Sequence, residues 1–332
     1  IMKLLITREI PNAGINLLKQ YPEIEIKYLK GDPLTPEQLK NEMTDVDAII
    51  PVIPDRITDE HINNAKKLKV IATYSVGYDH IDTISATKNN VYVTNTPGDL
   101  TESVAEFTFA LLMTLSKNIV ASDEFCRQGK YKFWEPMKFI GTSLRGKKVG
   151  IVGFGRIGQQ FARMCKYGLG MEVYYTDPIE HYEAEKLLDA TKLELNDLLG
   201  TCDIVSLHCN LNESTHHLIA DKEFALMKPD ALLINTARGP VICEKSLVRA
   251  LKNHIISGAA LDVFEDEPTI NKELKDLYNV VLTSHIASAT YQARIEMATM
   301  AAKNVIDVLI HKKEPQNLVN KDVLKKTVTS LV

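Results

Sequence analysis

Three side chains suited to acid–base or anion-binding chemistry follow three apolar runs of the sequence. Arg238 comes after ALLINTA, Glu267 lies three residues beyond ALDVF, and His285 follows VVLTS. Imidazole exchanges protons near neutral pH, a neighbouring carboxylate favours its imidazolium form, and a guanidinium binds carboxylates and polarises carbonyl oxygens. Singly, the three also have plain interpretations as a surface charge, an acidic loop and a polar cap. Their shared position after strand-like runs favours one common site.

The run KVGIVGFGRIGQQ has the glycine spacing of a dinucleotide-binding turn. Gly153 permits a tight turn, Gly155 lets backbone approach a pyrophosphate, and Gly158 allows close packing of a helix on a strand. The first N–H groups of the helix that follows would hold the phosphates. The predicted phosphate-binding residues are Gly153, Gly155, Arg156, Ile157 and Gly158, although Arg156 is equally interpretable as a solvated side chain.

An acidic residue after the next strand indicates which dinucleotide binds. Asp177 ends the run EVYYTD, nineteen residues after Gly158, where a carboxylate accepts hydrogen bonds from both ribose hydroxyls. A 2'-phosphate would meet its negative charge. The spacing therefore predicts NAD rather than NADP. A glycine-rich turn followed by a solvated aspartate is the structural alternative.

A nicotinamide cofactor near the first three side chains would interconvert an alcohol and a carbonyl by hydride transfer. Because ligands of doubly wound sheets bind beyond the carboxyl ends of the strands, all three side chains would face that reaction. His285 would exchange the proton, Glu267 would orient the imidazole, and Arg238 would bind a substrate carboxylate and polarise its carbonyl.

Alternating strand-length and helix-length segments must position these residues. Apolar runs occur near residues 3–7, 48–52, 70–74 and 91–95, and six more follow residue 147: KVGIVG, EVYYTD, DIVSLH, ALLINT, GAALDV and VVLTSH. This pattern is typical of parallel sheets covered on both faces. It predicts an α/β protein with two doubly wound parallel-sheet domains and an active-site cleft between them.

Two helices with one apolar face bracket the six-strand unit. The first would begin at a capping box, SVAE at 103–106, and the second follows His285. Since both would cross between domains, the C-terminal segment is expected to return to the first domain. The predicted domains are 1–100 plus 290–332 for substrate and 101–289 for the cofactor. Segment 125–145 lacks a clear period and is predicted to be an arm or loop.

Composition excludes several functional classes. The chain has 332 residues, 45% of them hydrophobic, and its net charge of -4 comes without a basic stripe, which argues against nucleic-acid binding. Five cysteines without a CxxC pair indicate a reducing compartment and no zinc or disulfide framework. No apolar stretch has membrane-spanning length and no leader-like segment opens the chain. We expect a cytoplasmic protein without metal or membrane.

Nearly end to end, the chain resembles the D-isomer-specific 2-hydroxy acid dehydrogenases. VGIVGFGRIG, NTARGPV, LDVFEDEP and SHIAS are similar to that family's cofactor, arginine, glutamate and histidine motifs, in family order. The resemblance implies a flavodoxin-like substrate domain, a Rossmann cofactor domain and a homodimer. It implies that backbone N–H groups of Ser75, Val76 and Gly77 in YSVGYDHID hold the substrate carboxylate, and that Asp262 lies near the nicotinamide carboxamide. Trp134 matches a tryptophan at a subunit boundary, or is a plain apolar anchor.

Within the family, HIAS and VGYDHID look most similar to the glyoxylate and hydroxypyruvate reductases. This implies NAD-dependent reduction of a small 2-oxo acid to its D-2-hydroxy acid. D-lactate dehydrogenases, which carry an aromatic segment after the histidine, are an alternative. Phosphite-oxidising relatives are another, since PDRI and FWEPMKFIGTSL resemble them, although Val76 stands where we would expect a lysine. The non-enzymatic alternative is an NAD-responsive interaction module like the C-terminal-binding corepressors.

Overall fold

The computed structural model describes residues 1–98 and 100–325. The chain divides into two compact units: the first unit is Ile1–Leu100 with the segment that begins at Ala289, and the second unit is Thr101–Ser288. Asp99 and residues 326–332, the end of the predicted substrate domain, lie outside the described residues.

Strands and short helices alternate along both units. The strands are β1 (Met2–Ile6), β2 (Ile24–Tyr28), β3 (Ala48–Ile50), β4 (Val70–Ala72), β5 (Tyr92–Thr94), β6 (Lys148–Val152), β7 (Glu172–Thr176), β8 (Ala190–Lys192), β9 (Ile204–Leu207), β10 (Leu232–Asn235), β11 (Gly258–Leu261) and β12 (Val280–Leu282). The helices are α1 (Asn12–Leu18), α2 (Pro36–Met43), α3 (Asp59–Asn64), α4 (Thr83–Lys88), α5 (Leu100–Ser116), α6 (Ile119–Arg127), α7 (Arg156–Leu169), α8 (Tyr182–Leu188), α9 (Leu195–Thr201), α10 (Asp221–Leu226), α11 (Glu244–Lys252), α12 (Lys272–Lys275) and α13 (Tyr291–Leu309), with a 3-10 turn at Gly239–Val241.

The sheet of the first unit has five strands in the order β2-β1-β3-β4-β5, which is the flavodoxin-like order. The expectation of four strands was wrong because it missed β2. In β2 the charged residues Glu25 and Lys27 alternate with apolar ones, and its burial alternates likewise. An edge strand exposes part of its surface, so β2 lacks the continuous apolar run that marks the central strands.

The C-terminal segment completes the first unit. Helix α13 buries Ala298, Ala302 and Val305 in the core formed with β1, β3 and β4. It approaches α1 so closely that a Cβ on Gly14 would lie 2.5 Å from the Ala298 carbonyl oxygen. Beyond α13 the Asn320 side chain accepts a hydrogen bond from Val93 N at 2.8 Å. The chain therefore returns to the edge strand β5.

The sheet of the second unit has seven strands in the order β12-β11-β10-β9-β6-β7-β8. This is the Rossmann order with one added strand. All six predicted strands are present, but the expected number was wrong because it missed β8, an edge strand with one apolar residue and no buried position. All strand pairs in both sheets are parallel, which confirms the predicted α/β class with two parallel sheets.

The helix that opens the second unit starts earlier than its sequence suggests. Helix α5 is already formed at Leu100, so Ser103 and Glu106 lie inside it and the predicted capping box is wrong. Ser103 is buried, 8% exposed, which shows that the helix packs from its first turn. Residues 128–147 contain neither helix nor strand, as predicted for segment 125–145, except that residues 125–127 belong to α6.

Within residues 1–98 and 100–325, no single helix is long and apolar enough to cross a membrane. Helices α5 and α6 reach that length and apolar composition only when taken together, with a bend of 66° between them. The same range holds no group of three or more His, Cys, Asp or Glu side chains arranged to bind a metal ion.

Candidate active site

The glycine turn between β6 and α7 has the geometry of an anion cradle. Gly153 has φ +90°, and a Cβ there would lie 2.6 Å from Cys209 N. A Cβ on Gly158 would lie 2.4 Å from the Gly153 carbonyl oxygen, whereas one on Gly155 would meet nothing within 4 Å. No side chain caps α7, so its first N–H groups are open to a ligand. The turn therefore fits the pyrophosphate of a dinucleotide.

Two predicted neighbours of the cradle lie in the first turn of α7. Arg156 opens the helix with an exposed side chain, and Ile157 follows it half-buried. The guanidinium adds positive charge beside the helix N-terminus, where an anion is already favoured.

Asp177 directly follows β7 and is fixed against the cradle. Its Oδ2 accepts a hydrogen bond from Phe154 N at 2.7 Å, and its Oδ1 accepts one from Ile179 N at 3.1 Å. His181 Nε2 lies 3.5 Å from Oδ1. A carboxylate has about four lone-pair sites, so two remain for ribose hydroxyls. These contacts hold the carboxylate beside the glycine turn.

His285 lies beyond β12 in an unusual backbone conformation. Strand β12 ends at Leu282, so the expectation that the strand runs up to the histidine was wrong. His285 has φ +55°, in the left-handed region that non-glycine residues seldom occupy. Its Nδ1 donates to Glu267 Oε2 at 2.8 Å, which leaves Nε2 as the ring nitrogen for other chemistry.

The Glu267 carboxylate is held in its ionised form. Its Oε1 also accepts a hydrogen bond from Phe264 N at 3.0 Å. Burial alone would raise the pKa of Glu267, but the hydrogen bond and charge of His285, helped by the Phe264 N–H and the charge of Arg238, lower it below the ordinary value. The carboxylate therefore orients the His285 ring and places a negative charge beside Nδ1–H.

Asp262 anchors the loop that carries His285. It is fully buried, its carbonyl oxygen accepts from His285 N at 2.9 Å, and its carboxylate accepts from Ile286 N at 2.9 Å and Ala287 N at 2.8 Å. Such overdetermination is what a strained backbone requires. The sequence reasoning missed this role, although an aspartate directly after the apolar run GAAL is a signal for it.

Arg238 follows β10 by three residues. The side chain of Asn235 fixes the turn, because its Nδ2 donates to the Arg238 carbonyl oxygen at 2.9 Å and its Oδ1 accepts from Ala237 N at 3.0 Å. Arg238 Nη1 donates to the Ala237 carbonyl oxygen at 2.8 Å. The three predicted catalytic residues thus follow the adjacent strands β10, β11 and β12.

Two carboxylates and one glycine lock the Arg238 and Glu267 loops together. Glu244 Oε1 accepts from Glu265 N at 2.8 Å, and Glu265 Oε2 accepts from Glu244 N at 2.9 Å. Beside them, a Cβ on Gly239 would lie 1.8 Å from the Phe264 carbonyl oxygen. This interlock was also missed, because the sequence shows Glu265 only as part of an acidic loop.

The predicted carboxylate-binding loop lies in the first unit, after β4. Ser75 is buried, Val76 is exposed and Gly77 is half-buried. In the described part of the chain the backbone N–H groups of these three residues donate no hydrogen bond. Consecutive open backbone donors are able to bind an anion.

Comparisons with known proteins identify the family. The model of the D-isomer specific 2-hydroxyacid dehydrogenase NAD-binding domain matches residues 109–287. A glyoxylate reductase of Thermococcus litoralis is 47% identical over 97% of this chain and 98% of its own. A crystal structure of a Thermus thermophilus protein, 38% identical, covers 96% of this chain and 100% of its own with a TM-score of 0.89.

A third comparison concerns the cofactor. The NADPH-dependent glyoxylate/hydroxypyruvate reductase of Sinorhizobium meliloti, solved with NADP and malonate, has a TM-score of 0.84 and 28% identity over 96% of each chain. Together the matches support a nicotinamide dinucleotide cofactor and confirm the resemblance seen in the sequence. The chain belongs to the D-isomer-specific 2-hydroxyacid dehydrogenases and is an NAD-linked oxidoreductase.

Proposed function

We propose that this protein reduces a small 2-oxo acid, glyoxylate or hydroxypyruvate, to the D-2-hydroxy acid with NADH. The observation that carries the proposal is the His285–Glu267 pair, 2.8 Å apart beyond the carboxyl end of the second sheet. The 47% identity to a glyoxylate reductase supports the substrate class.

The proposed roles follow from the donors and acceptors of each loop. The N–H groups of Ser75, Val76 and Gly77 bind the substrate carboxylate, and Arg238 binds it and polarises the carbonyl oxygen. When bound, the dinucleotide supplies the hydride to the carbonyl carbon. His285, as imidazolium, gives its Nε2 proton to the carbonyl oxygen, so the product gains one hydride and one proton. Glu267 accepts Nδ1–H and holds the ring in place before and after the proton leaves Nε2.

Cofactor binding in this proposal uses the cradle and Asp177. Gly153, Gly155 and Gly158 admit the pyrophosphate and Asp177 accepts the ribose hydroxyls. NADPH would place a phosphate against that carboxylate, which Phe154 N and Ile179 N keep oriented. Asp262 would act at the nicotinamide end of the site in one of two ways. It would contact the carboxamide directly, or it would act indirectly by holding the loop that carries His285.

The proposal extends to a cytoplasmic homodimer. Segment 128–147 exposes Phe133, Trp134 and Met137, each at least 70% exposed. Apolar side chains this exposed on one segment are typical of a surface that a partner covers. The thiols of all five cysteines are free, as in a reducing compartment.

The experiment that tests the proposal is NADH oxidation with glyoxylate, hydroxypyruvate, pyruvate and 2-oxoisocaproate, each also assayed with NADPH. We expect the highest kcat/KM with glyoxylate or hydroxypyruvate, and a higher kcat/KM with NADH than with NADPH. Phosphite with NAD is the contrasting assay. Turnover of phosphite without activity on any of the oxo acids would overturn the proposed substrate class. Tight NADH binding without any turnover would favour an interaction module.

Replacing Glu267 by glutamine should lower kcat for 2-oxo acid reduction. The carboxylate accepts Nδ1–H of His285 at 2.8 Å, and its lowered pKa keeps it ionised at and below the ordinary value of 4.5. Its contribution is therefore present at pH 6 to 9 and is lost only when the pH falls through the lowered pKa. Glutamine keeps the shape but removes the negative charge beside the His285 ring, so kcat should fall about a hundredfold. The measurement is kcat between pH 6 and 9, with the exposed Glu213→Gln as control, and an unchanged kcat would contradict the role of Glu267.

A further inference from the structure

Among residues 1–98 and 100–325, all three carbonyl oxygens of the 75–77 loop accept hydrogen bonds, whereas its N–H groups donate none. Ser75 O accepts from Thr96 N at 2.9 Å, and Val76 O accepts from Asn95 Nδ2 at 2.8 Å. Gly77 O accepts from the Ser75 hydroxyl at 2.6 Å. Among the described residues, hydrogen bonds thus fix only the carbonyl oxygens of the loop, and its N–H groups are left for a ligand.

A hydrogen-bond chain behind the loop has only one possible direction. The Ser75 hydroxyl must donate its single proton to Gly77 O, because a carbonyl oxygen only accepts. Ser75 Oγ therefore accepts from the Thr73 hydroxyl at 2.8 Å. Since Thr73 Oγ1 donates its proton to Ser75, it must accept from His80 Nε2 at 3.0 Å. The chain runs from His80 through Thr73 and Ser75 to Gly77.

This chain is buried and local to the first unit. Thr73 is 0% exposed, Ser75 2% and His80 9%. Thr73 directly follows β4 and is tied to β5 by its backbone N–H, which donates to the Thr94 carbonyl oxygen at 2.9 Å. The carboxyl end of β4 therefore holds the Thr73 link of the chain, and burial keeps water from competing for the hydroxyls.

Hydrogen bonds to a carbonyl oxygen polarise the N–H on the other side of the same peptide bond. The bond from Asn95 to Val76 O strengthens Gly77 N–H as a donor, and the bond from Thr96 to Ser75 O does the same for Val76 N–H. In a chain of hydrogen bonds each donor strengthens the next. The groups behind the loop thus both orient and strengthen its donors.

We infer that His80, Thr73 and Asn95 are positioning residues for substrate binding, which set the 75–77 N–H groups against the carboxylate of the 2-oxo acid. The inference rests on the proposed function of that loop. None of the three touches the reacting carbon, so they govern how well the carboxylate binds and leave the hydride step unchanged.

The test compares Thr73→Val, which keeps the shape and removes the hydroxyl, with Thr73→Ser, which keeps the hydroxyl. We expect Thr73→Val to raise the KM for glyoxylate about tenfold, with kcat within about twofold and the Kd for NADH unchanged, as the loss of one buried hydrogen-bond link predicts. Binding of oxalate, an unreactive dicarboxylate, should weaken by the same factor. Thr73→Ser should stay close to the original enzyme, and thermal unfolding verifies that both variants fold.

A second measurement separates this inference from the proposed function. In a nitrogen–proton correlation spectrum of the histidine rings, the signal lost in His80→Gln should belong to a ring protonated at Nε2. An unprotonated Nε2, or equal KM changes in Thr73→Val and Thr73→Ser, would contradict the hydrogen-bond chain. If the enzyme still turned over oxo acids, the proposed function would stand. Absence of both turnover and oxalate binding in the original enzyme would remove both.

Discussion

Replacing His285 by alanine should lower kcat for 2-oxo acid reduction by about a thousandfold, the middle of the range for loss of a general acid. The Nε2 proton has no substitute, since Glu267 is ionised and engaged by Nδ1–H and Phe264 N. The Kd for NADH should be unchanged because the cradle at Gly153–Gly158 does not include the histidine. Single-turnover kinetics and NADH fluorescence titration measure the two quantities.

A matched control comes from another histidine of the second unit. His254 is exposed and has φ +52°, close to the φ of +55° at His285. His254→Ala therefore imposes a similar change on a left-handed backbone without touching the site, and should keep full activity. Equal turnover in the two variants would end the assignment of His285 as the proton donor.

Replacing Gly239 by alanine should have the largest effect on stability. The added Cβ would lie 1.8 Å from the Phe264 carbonyl oxygen and 2.5 Å from Glu265 N. The Phe264 carbonyl and the Glu265 N–H cannot move away easily, because the carboxylates of Glu244 and Glu265 bind each other's backbone N–H groups. We expect a loss of about 4 kcal/mol or more in the free energy of unfolding, at the upper end for a single substitution. Any protein that folds should also lose activity, since Arg238 and Glu267 flank the contact.

The control for this prediction is Gly200→Ala in α9. A Cβ there would meet only the Leu226 carbonyl oxygen at 3.7 Å, which is ordinary contact. Alanine inside a helix should stabilise the protein by about 0.5 to 1 kcal/mol. Urea denaturation of both variants measures the difference. A Gly239→Ala protein as stable as Gly200→Ala would show that the two loops can separate freely.

The sequence predicts strands well where both faces are buried. β9, β10 and β11 are buried at every position, and each was predicted. β2 and β8 were missed because both are edge strands: β2 mixes charged and apolar residues, and β8 has one apolar residue and no buried position. The start of α5 was misplaced for a related reason: SVAE satisfies the local rule for a capping box, but local rules do not record that the chain is already helical at Leu100.

The site shows the same division between local and tertiary information. Glycine spacing and an acid after the second strand depend on a single βαβ unit, so Gly153, Gly158 and Asp177 could be placed from sequence. The reciprocal bonds of Glu244 and Glu265 join positions 21 residues apart, and no local pattern reports them. The left-handed backbone of His285 was also unpredictable, because it depends on contacts with Asp262.

The return of α13 to the first unit has a consequence for the order of synthesis. Residues 101–288 form an uninterrupted unit that has every strand of its sheet once β12 has left the ribosome. The first unit begins earlier in the chain, yet its core includes Ala298, Ala302 and Val305, which are translated after β12. Its contacts span nearly the whole chain, and such non-local pairing is slow to form. The N-terminal sheet therefore lacks the cover of α13 until that helix has been translated, and residues 101–288 can complete their sheet before the first unit completes its core.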